Sequence, residues 1–175
     1  MNRSRIQKCR SLIPVLLLAF ALVFALAAGA AEKTVYLGAP DAAEGDGSAA
    51  APFASLAKAI EAVQSGGRIV VTEMYTVTER DAATADIPRF LSPAHAGKIT
   101  ITSLDGKLDY RRGGACIYFP KTYICECGGD VRFENVTLKN DAVPIYLAGN
   151  FHALEFGDGF DVKNTKGIAK HLYVI

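Results

Sequence analysis

The sequence has no excess of basic residues: 19 Lys plus Arg stand against 18 Asp plus Glu. That leaves no basic face of the kind a nucleic-acid partner requires. Histidine is scarce. His95 sits alone in a polar stretch, His152 has no partner at a readable spacing, and His171 lies four residues from the last position. Cysteine is also sparse. Cys9 precedes the long apolar run, which leaves Cys116, Cys125 and Cys127, an odd set. Their spacing matches no zinc pattern. One disulfide with one thiol left over stays open in an oxidising compartment, beside the simpler reading of small buried residues in a stack. Two-residue hairpin signals of the Asn-Gly type are few, which weighs against an antiparallel sandwich.

What is present begins with an address. Arg3, Arg5, Lys8 and Arg10 precede an almost wholly apolar run, Leu12 to Ala31, which exits through Ala28, Gly29 and Ala30. A basic start, an apolar middle and small residues at the exit make a secretory signal over residues 1–30. An uncleaved membrane anchor is the alternative, because the run is long enough to span with tilt. Without those four basic residues the 19 cations fall to 15 against 18 anions, a net charge of −3. One domain's worth of chain remains.

Three kinds of segment follow. Lys33 to Leu37 reads as a first strand. Asp41, Glu44 and Asp46 lie in a loop rich in Ala, Gly and Ser, and they lack the spacing of a calcium loop. From Ser55 to Gln64, Leu56, Ala59, Ile60 and Val63 fall on one helical face, with Ser55 as N-cap and Gly66-Gly67 as the stop. Arg68 to Glu73, Tyr75 to Val77, Lys98 to Ser103, Ala115 to Phe119 and Thr122 to Cys127 read as strands. Thr78 to Gly97 reads as a polar excursion. The expected division is a cap over 31–97 and regular coils over 98–175.

The clearest signal is a repeat in Val131 to Asn164. Phe133 recurs as Phe156, Leu138 as Val162, and Lys139-Asn140 as Lys163-Asn164. Offsets of 23 and 24 residues fall among solenoid periods. Inward residues alternate with polar ones in runs too short for useful hairpins. The runs break at Asn135, Asn140-Asp141, Gly149-Asn150 and Gly157-Asp158-Gly159. This pattern predicts a mainly β fold, a solenoid whose coils stack with side chains in ladders, capped by the helix.

The order TVYLG, DGSAAAPFASL, LAKAIEAV and GGRIVV is similar to the N-terminal cap of right-handed parallel β-helix proteins of the pectate-lyase-like superfamily. The later runs KITITSLDG, GGDVRFENVTL and YLAGNFHALEFGDGF resemble secreted bacterial β-helix proteins. The resemblance covers about Lys33 to Ile175. It implies an extracellular or cell-surface module that touches polysaccharide or surface glycans. Adhesion by a non-catalytic module is the first reading; the N-terminal part of a polysaccharide lyase or glycoside hydrolase is the alternative.

A catalytic constellation is not legible. Arg111-Arg112 beside Asp109 is the nearest approach, and it reads as a solvated, Gly-flanked corner. Asp158 and Asp161 read as turn and outer-face residues rather than an acid and a base. Asn135-Val136-Thr137 matches the glycosylation pattern, which carries little weight in the bacterial setting that the resemblance implies. No catalytic, cofactor or metal residue is assigned. Lys170 to Ile175 reads as a strand with no polar capping element after it. That reads as a β-helix truncated at the C-terminus, a fragment of a longer one, with a partner covering the end as the alternative.

Overall fold

The structure is a computed structural model, and it describes residues 32–78, 89–91, 97–104, 115–120, 123–141, 145–149, 153–164 and 172–174. Residues 32–175 form one compact unit. The signal over 1–30 lies outside the described residues. So do Arg111, Arg112, Asp109, His95, His152 and His171.

Among the described residues the fold is mainly β, with parallel sheets and one short helix. The strands are β1 (Lys33–Leu37), β2 (Gly67–Val71), β3 (Met74–Thr76), β4 (Arg89–Leu91), β5 (Ile99–Ser103), β6 (Cys116–Phe119) and β7 (Tyr123–Cys127). They continue as β8 (Val131–Phe133), β9 (Thr137–Asn140), β10 (Ile145–Gly149), β11 (Leu154–Phe156), β12 (Asp161–Asn164) and β13 (Leu172–Val174). One sheet runs β1-β2-β5-β8-β11, a second β12-β9-β6-β3, and a third β13-β10-β7-β4. From β2 onward the chain visits the three sheets in strict rotation. All ten pairings among the described strands are parallel. That excludes the antiparallel sandwich, because parallel neighbours need crossovers rather than hairpins.

The register carries the repeat. Phe156 lies opposite Phe133, Val162 opposite Leu138, Lys163 opposite Lys139 and Asn164 opposite Asn140. The change of offset from 23 to 24 arises at one corner. Three residues, Glu134 to Val136, join β8 to β9, whereas four, Gly157 to Phe160, join β11 to β12. Asn135 turns the shorter corner with φ 48°, and Gly159 turns the longer one with φ 71°. Asn and Gly tolerate that left-handed region better than other residues.

Alternation fixes which side packs. Val131 and Phe133 are buried while Arg132 between them is half-exposed. Val35, Ile69, Ile101, Phe133 and Phe156 form one ladder across the five-stranded sheet. Tyr75, Ile117, Leu138 and Val162 form another in the second sheet. Buried residues from all three sheets, Leu147 of the third included, belong to a single hydrophobic cluster. Each fully buried Leu, Ile, Val or Phe contributes about 1.5–3 kcal/mol over leaving it exposed. Polar ladders join in: Asn164 Nδ2 donates to Oδ1 of the fully buried Asn140 at 3.0 Å.

Helix α1 (Leu56–Ala62) is shorter than the expected Ser55–Gln64. Ser55 is its cap, and its Oγ accepts from Lys58 N at 3.4 Å. The tail tightens into i to i+3 bonds, Val63 N to Ile60 O and Gln64 N to Glu61 O, which ends the α-helical pattern two residues early. Leu56, Ala59 and Ile60 are buried, and α1 packs against β1. The buried Tyr75 hydroxyl accepts from Leu56 N at 3.1 Å, so an orphan donor of the helix start is tied to the second sheet.

One element differs more sharply. β4 lies inside the stretch read as a polar excursion, and it pairs with β7. The three residues Arg89 to Leu91 are too few to show alternation, so pairing rather than local pattern makes this strand. Across the division drawn at residue 97, β2 pairs with β5 along five residues.

Candidate functional site

Two outer faces, pointing away from the cluster, carry the polar side chains described next. On the five-stranded sheet, Arg68, Thr100, Arg132 and Glu155 share one register column. Arg132 Nε meets Glu134 Oε2 at 2.8 Å, and its NH1 meets Glu155 Oε2 at 2.9 Å. Arg68 NH1 meets Glu134 Oε1 at 3.1 Å, and Lys98 Nζ meets Glu155 Oε1 at 3.1 Å. Three cations and two carboxylates thus alternate along one chain of contacts, over the buried Thr100.

The Arg132 hydrogen bond comes first among the causes that hold both Glu134 and Glu155 below the usual carboxylate range. The same contacts raise Arg132 above its ordinary value. A carboxylate held ionised this way is a poor general acid or base at neutral pH. This face is a brace.

The face of the second sheet differs. Thr76, Tyr118, Lys139 and Lys163 share its column. Tyr118 is half-buried, and its hydroxyl donates to the Asp141 carboxylate. That bond, then burial, pushes the phenol up to about 12. Lys139 Nζ stands 4.4 Å from the Tyr118 ring centroid, within cation–π range. It also lies 3.9 Å from Met74 Sδ. Met74 in turn lines an open cavity of about 520 Å³ with Asp41, Glu73, Thr76 and Thr78. Glu73 Oε1 accepts from Ala39 N at 2.9 Å, which fixes the loop against the end of the sheet. Met74 and Thr76 belong to both features, so cavity and tyrosine ledge are continuous.

Such a surface offers carboxylate acceptors, hydroxyls and an aromatic body in a row. It suits a ligand with many hydroxyl groups and some apolar C–H surface.

The residues singled out by sequence fall elsewhere. Glu44 pairs with Lys58 at 3.3 Å and accepts from Ala54 N. Asp46 caps its own turn by accepting from Ser48 N at 2.9 Å, which lowers its carboxyl below the ordinary value. Asp41 reaches the cavity. Asp158 sits in an exposed turn, where its carbonyl accepts from Asn135 N. Asp161 pairs with Lys163. In the glycosylation pattern Thr137 is buried.

Cys116 is a buried free thiol, pushed up to about 11 by burial. That keeps it protonated and unreactive near neutrality. Cys125 and Cys127 lie in β7, and their side chains fall outside the described ones. Among the described residues no group of three or more His, Cys, Asp or Glu is placed to hold a metal ion. None of their helices is long and apolar enough to cross a membrane.

Sequence reasoning missed Tyr118, Lys139, Met74 and Glu73. A signal existed for Tyr118: in CIYF it alternates with Ile117 and Phe119, which are inward. Nothing local tied it to Lys139 or Met74, which are 21 and 44 positions away. Comparison with family models, with curated proteins and with solved structures finds no match.

Proposed function

We propose that residues 31–175 form a right-handed parallel β-helix, capped by α1, exported under the direction of residues 1–30. In this reading the protein acts outside the cell as a non-catalytic module that holds polysaccharide. Rotation of the chain among three parallel sheets supports the coil, since each circuit adds one strand to each sheet. The basic and then apolar start supports export.

The observation that carries the binding role is the continuous strip from the Asp41–Glu73 cavity over Met74 to Tyr118 and Lys139. Sugar rings present C–H faces to aromatic rings and hydroxyls to carboxylates, and the strip offers both. The braced face of the five-stranded sheet has its charges mutually satisfied, so it offers less to a ligand.

Affinity electrophoresis of the exported protein in gels containing neutral or acidic polysaccharides tests the reading. At least one polysaccharide is expected to retard it, and Tyr118→Ala is expected to weaken that retardation about tenfold, on the order of 1.4 kcal/mol. Equal mobility in every gel, or release of sugar fragments during incubation, overturns it.

A further inference from the structure

Met74 is one of two methionines in the sequence, and the other, Met1, belongs to the stretch read as an export signal. It opens β3, is 36% exposed, and stands on the rim shared by the Asp41–Glu73 cavity and the Tyr118 ledge. Methionine ranks among the residues most often buried, so its place on an open rim is informative. Its Sδ lies 3.9 Å from Nζ of Lys139, and the same Nζ stands 4.4 Å from the Tyr118 ring centroid. One ammonium is thus shared between an aromatic face and a thioether, which is a weak acceptor.

We propose that Met74 is an oxidation site that switches the strip: a peroxide converts its thioether to the sulfoxide, and the sulfoxide draws Lys139 away from Tyr118. The effect on ligand binding rests on the polysaccharide-holding role proposed above, whereas the movement of Lys139 does not. In the step, a lone pair of Sδ attacks one oxygen of hydrogen peroxide. The S–O bond forms as the O–O bond breaks. The proton on the transferred oxygen passes to the departing hydroxide, which leaves as water. Sulfur gives up one electron pair and the peroxide takes it. Cys116 does not compete, because it is buried and held as the thiol.

The consequence follows from the acceptors. A sulfoxide is polar where the thioether was apolar. Its oxygen, carried on a sulfur 3.9 Å from Nζ, is within reach of the ammonium. A hydrogen bond from an ammonium to oxygen is charge-assisted and stronger than one to a thioether sulfur. Tyr118 does not follow Lys139, because its hydroxyl is tied to the Asp141 carboxylate. The contact that breaks is therefore the one between Lys139 and the ring. An ammonium committed to the sulfoxide is less available to a ligand, and the cavity loses an apolar wall. Methionine sulfoxide reductases, one for each epimer, reverse the change.

The test treats the exported protein and its Met74→Leu variant with hydrogen peroxide. Peptide mass mapping is expected to find one added oxygen at Met74. The variant carries the same cysteines, so any change at those appears in both samples. Lysines labelled by reductive carbon-13 methylation keep their charge. The Lys139 signal, identified by its absence in Lys139→Arg, is expected upfield under the ring current of Tyr118. It is expected to lose that displacement on oxidation, to regain it after both reductases have acted, and to stay unmoved in Met74→Leu. Retardation by the polysaccharide that slows the unmodified protein most is expected to fall about threefold and to recover in parallel, on the scale of an exposed cation–π contact.

The proposal is overturned if Met74 stays reduced while free methionine in the same solution is oxidised, or if the sulfoxide leaves the Lys139 signal in place. Unchanged retardation after complete oxidation overturns the switch as well. Absence of retardation in every gel before oxidation overturns the polysaccharide reading and the regulation built on it. The Lys139 signal then still decides the sulfoxide contact by itself.

Discussion

The two outer faces use similar residues to opposite ends. On the five-stranded sheet, Arg132 stands in register with Glu155 and beside Glu134, and each charge meets its opposite within about 3 Å. On the second sheet, Lys139 stands in register with Lys163 and Tyr118, two cations and a ring. The first arrangement satisfies itself. The second leaves a cation over an aromatic ring, beside a cavity. The lesson is that in a stacked parallel sheet the outer face is decided by which residues share a column. A column whose cations are met by carboxylates beside it closes the surface, whereas a column of lysines with an aromatic keeps Lys139 over the ring beside the cavity.

The largest expected effect comes from removing what both faces rest on. Leu138 is 1% exposed and is the inward neighbour of Lys139 in the same strand. Leu138→Ala is expected to cost about 2–5 kcal/mol, read from denaturant unfolding. Polysaccharide binding is expected to fall with stability, and an unchanged midpoint would show that the ladder does not support the face.

A second test separates the faces by pH. Glu134 and Glu155 are depressed, so the stability they contribute is present above the ordinary glutamate value of about 4.3 and is lost as pH falls through their lowered values. Tyr118 is raised, so its contribution is present below the ordinary tyrosine value of about 10 and is lost as pH rises through about 12. The braced face therefore weakens in acid and the tyrosine face in alkali. Glu134→Gln is expected to flatten the acid limb of the melting temperature and to lower its neutral value by a few degrees. Tyr118→Phe is expected to flatten the alkaline limb alone. If either substitution moves both limbs, the faces are not independent.

The smallest effect sharpens the comparison at one side chain. Lys139→Met keeps the length and removes the charge above Tyr118. It is expected to reduce affinity for acidic polysaccharides several-fold while leaving the melting temperature nearly unchanged, since exposed charges contribute little to stability. An equal loss for neutral polysaccharides would assign Lys139 a packing role instead.

Much of the framework was legible in advance because ladder positions obey a simple period. Phe133 with Phe156, and Leu138 with Val162, declare themselves by type and offset, and they pair in the structure. Asn135 and Gly159 mark corners because few residues accept their backbone angles. β4 was not legible, because three residues carry no period and only β7 makes them a strand. Nor was the brace, because Arg68 reaches Glu134 across 66 positions.

The amino-acid order by itself determined the alternation of inward and outward residues, the repeat register and the helix cap, because each depends on residues a few positions or one repeat apart. Only the tertiary structure decided which outward residues share a column. Apart from the recurring Lys139 and Lys163, outward positions leave no ladder in the sequence, since solvent accepts any polar residue there. Whether Arg132 finds Glu134 and Glu155, or Lys139 finds Tyr118 and Met74, is set by how successive strands come to lie side by side.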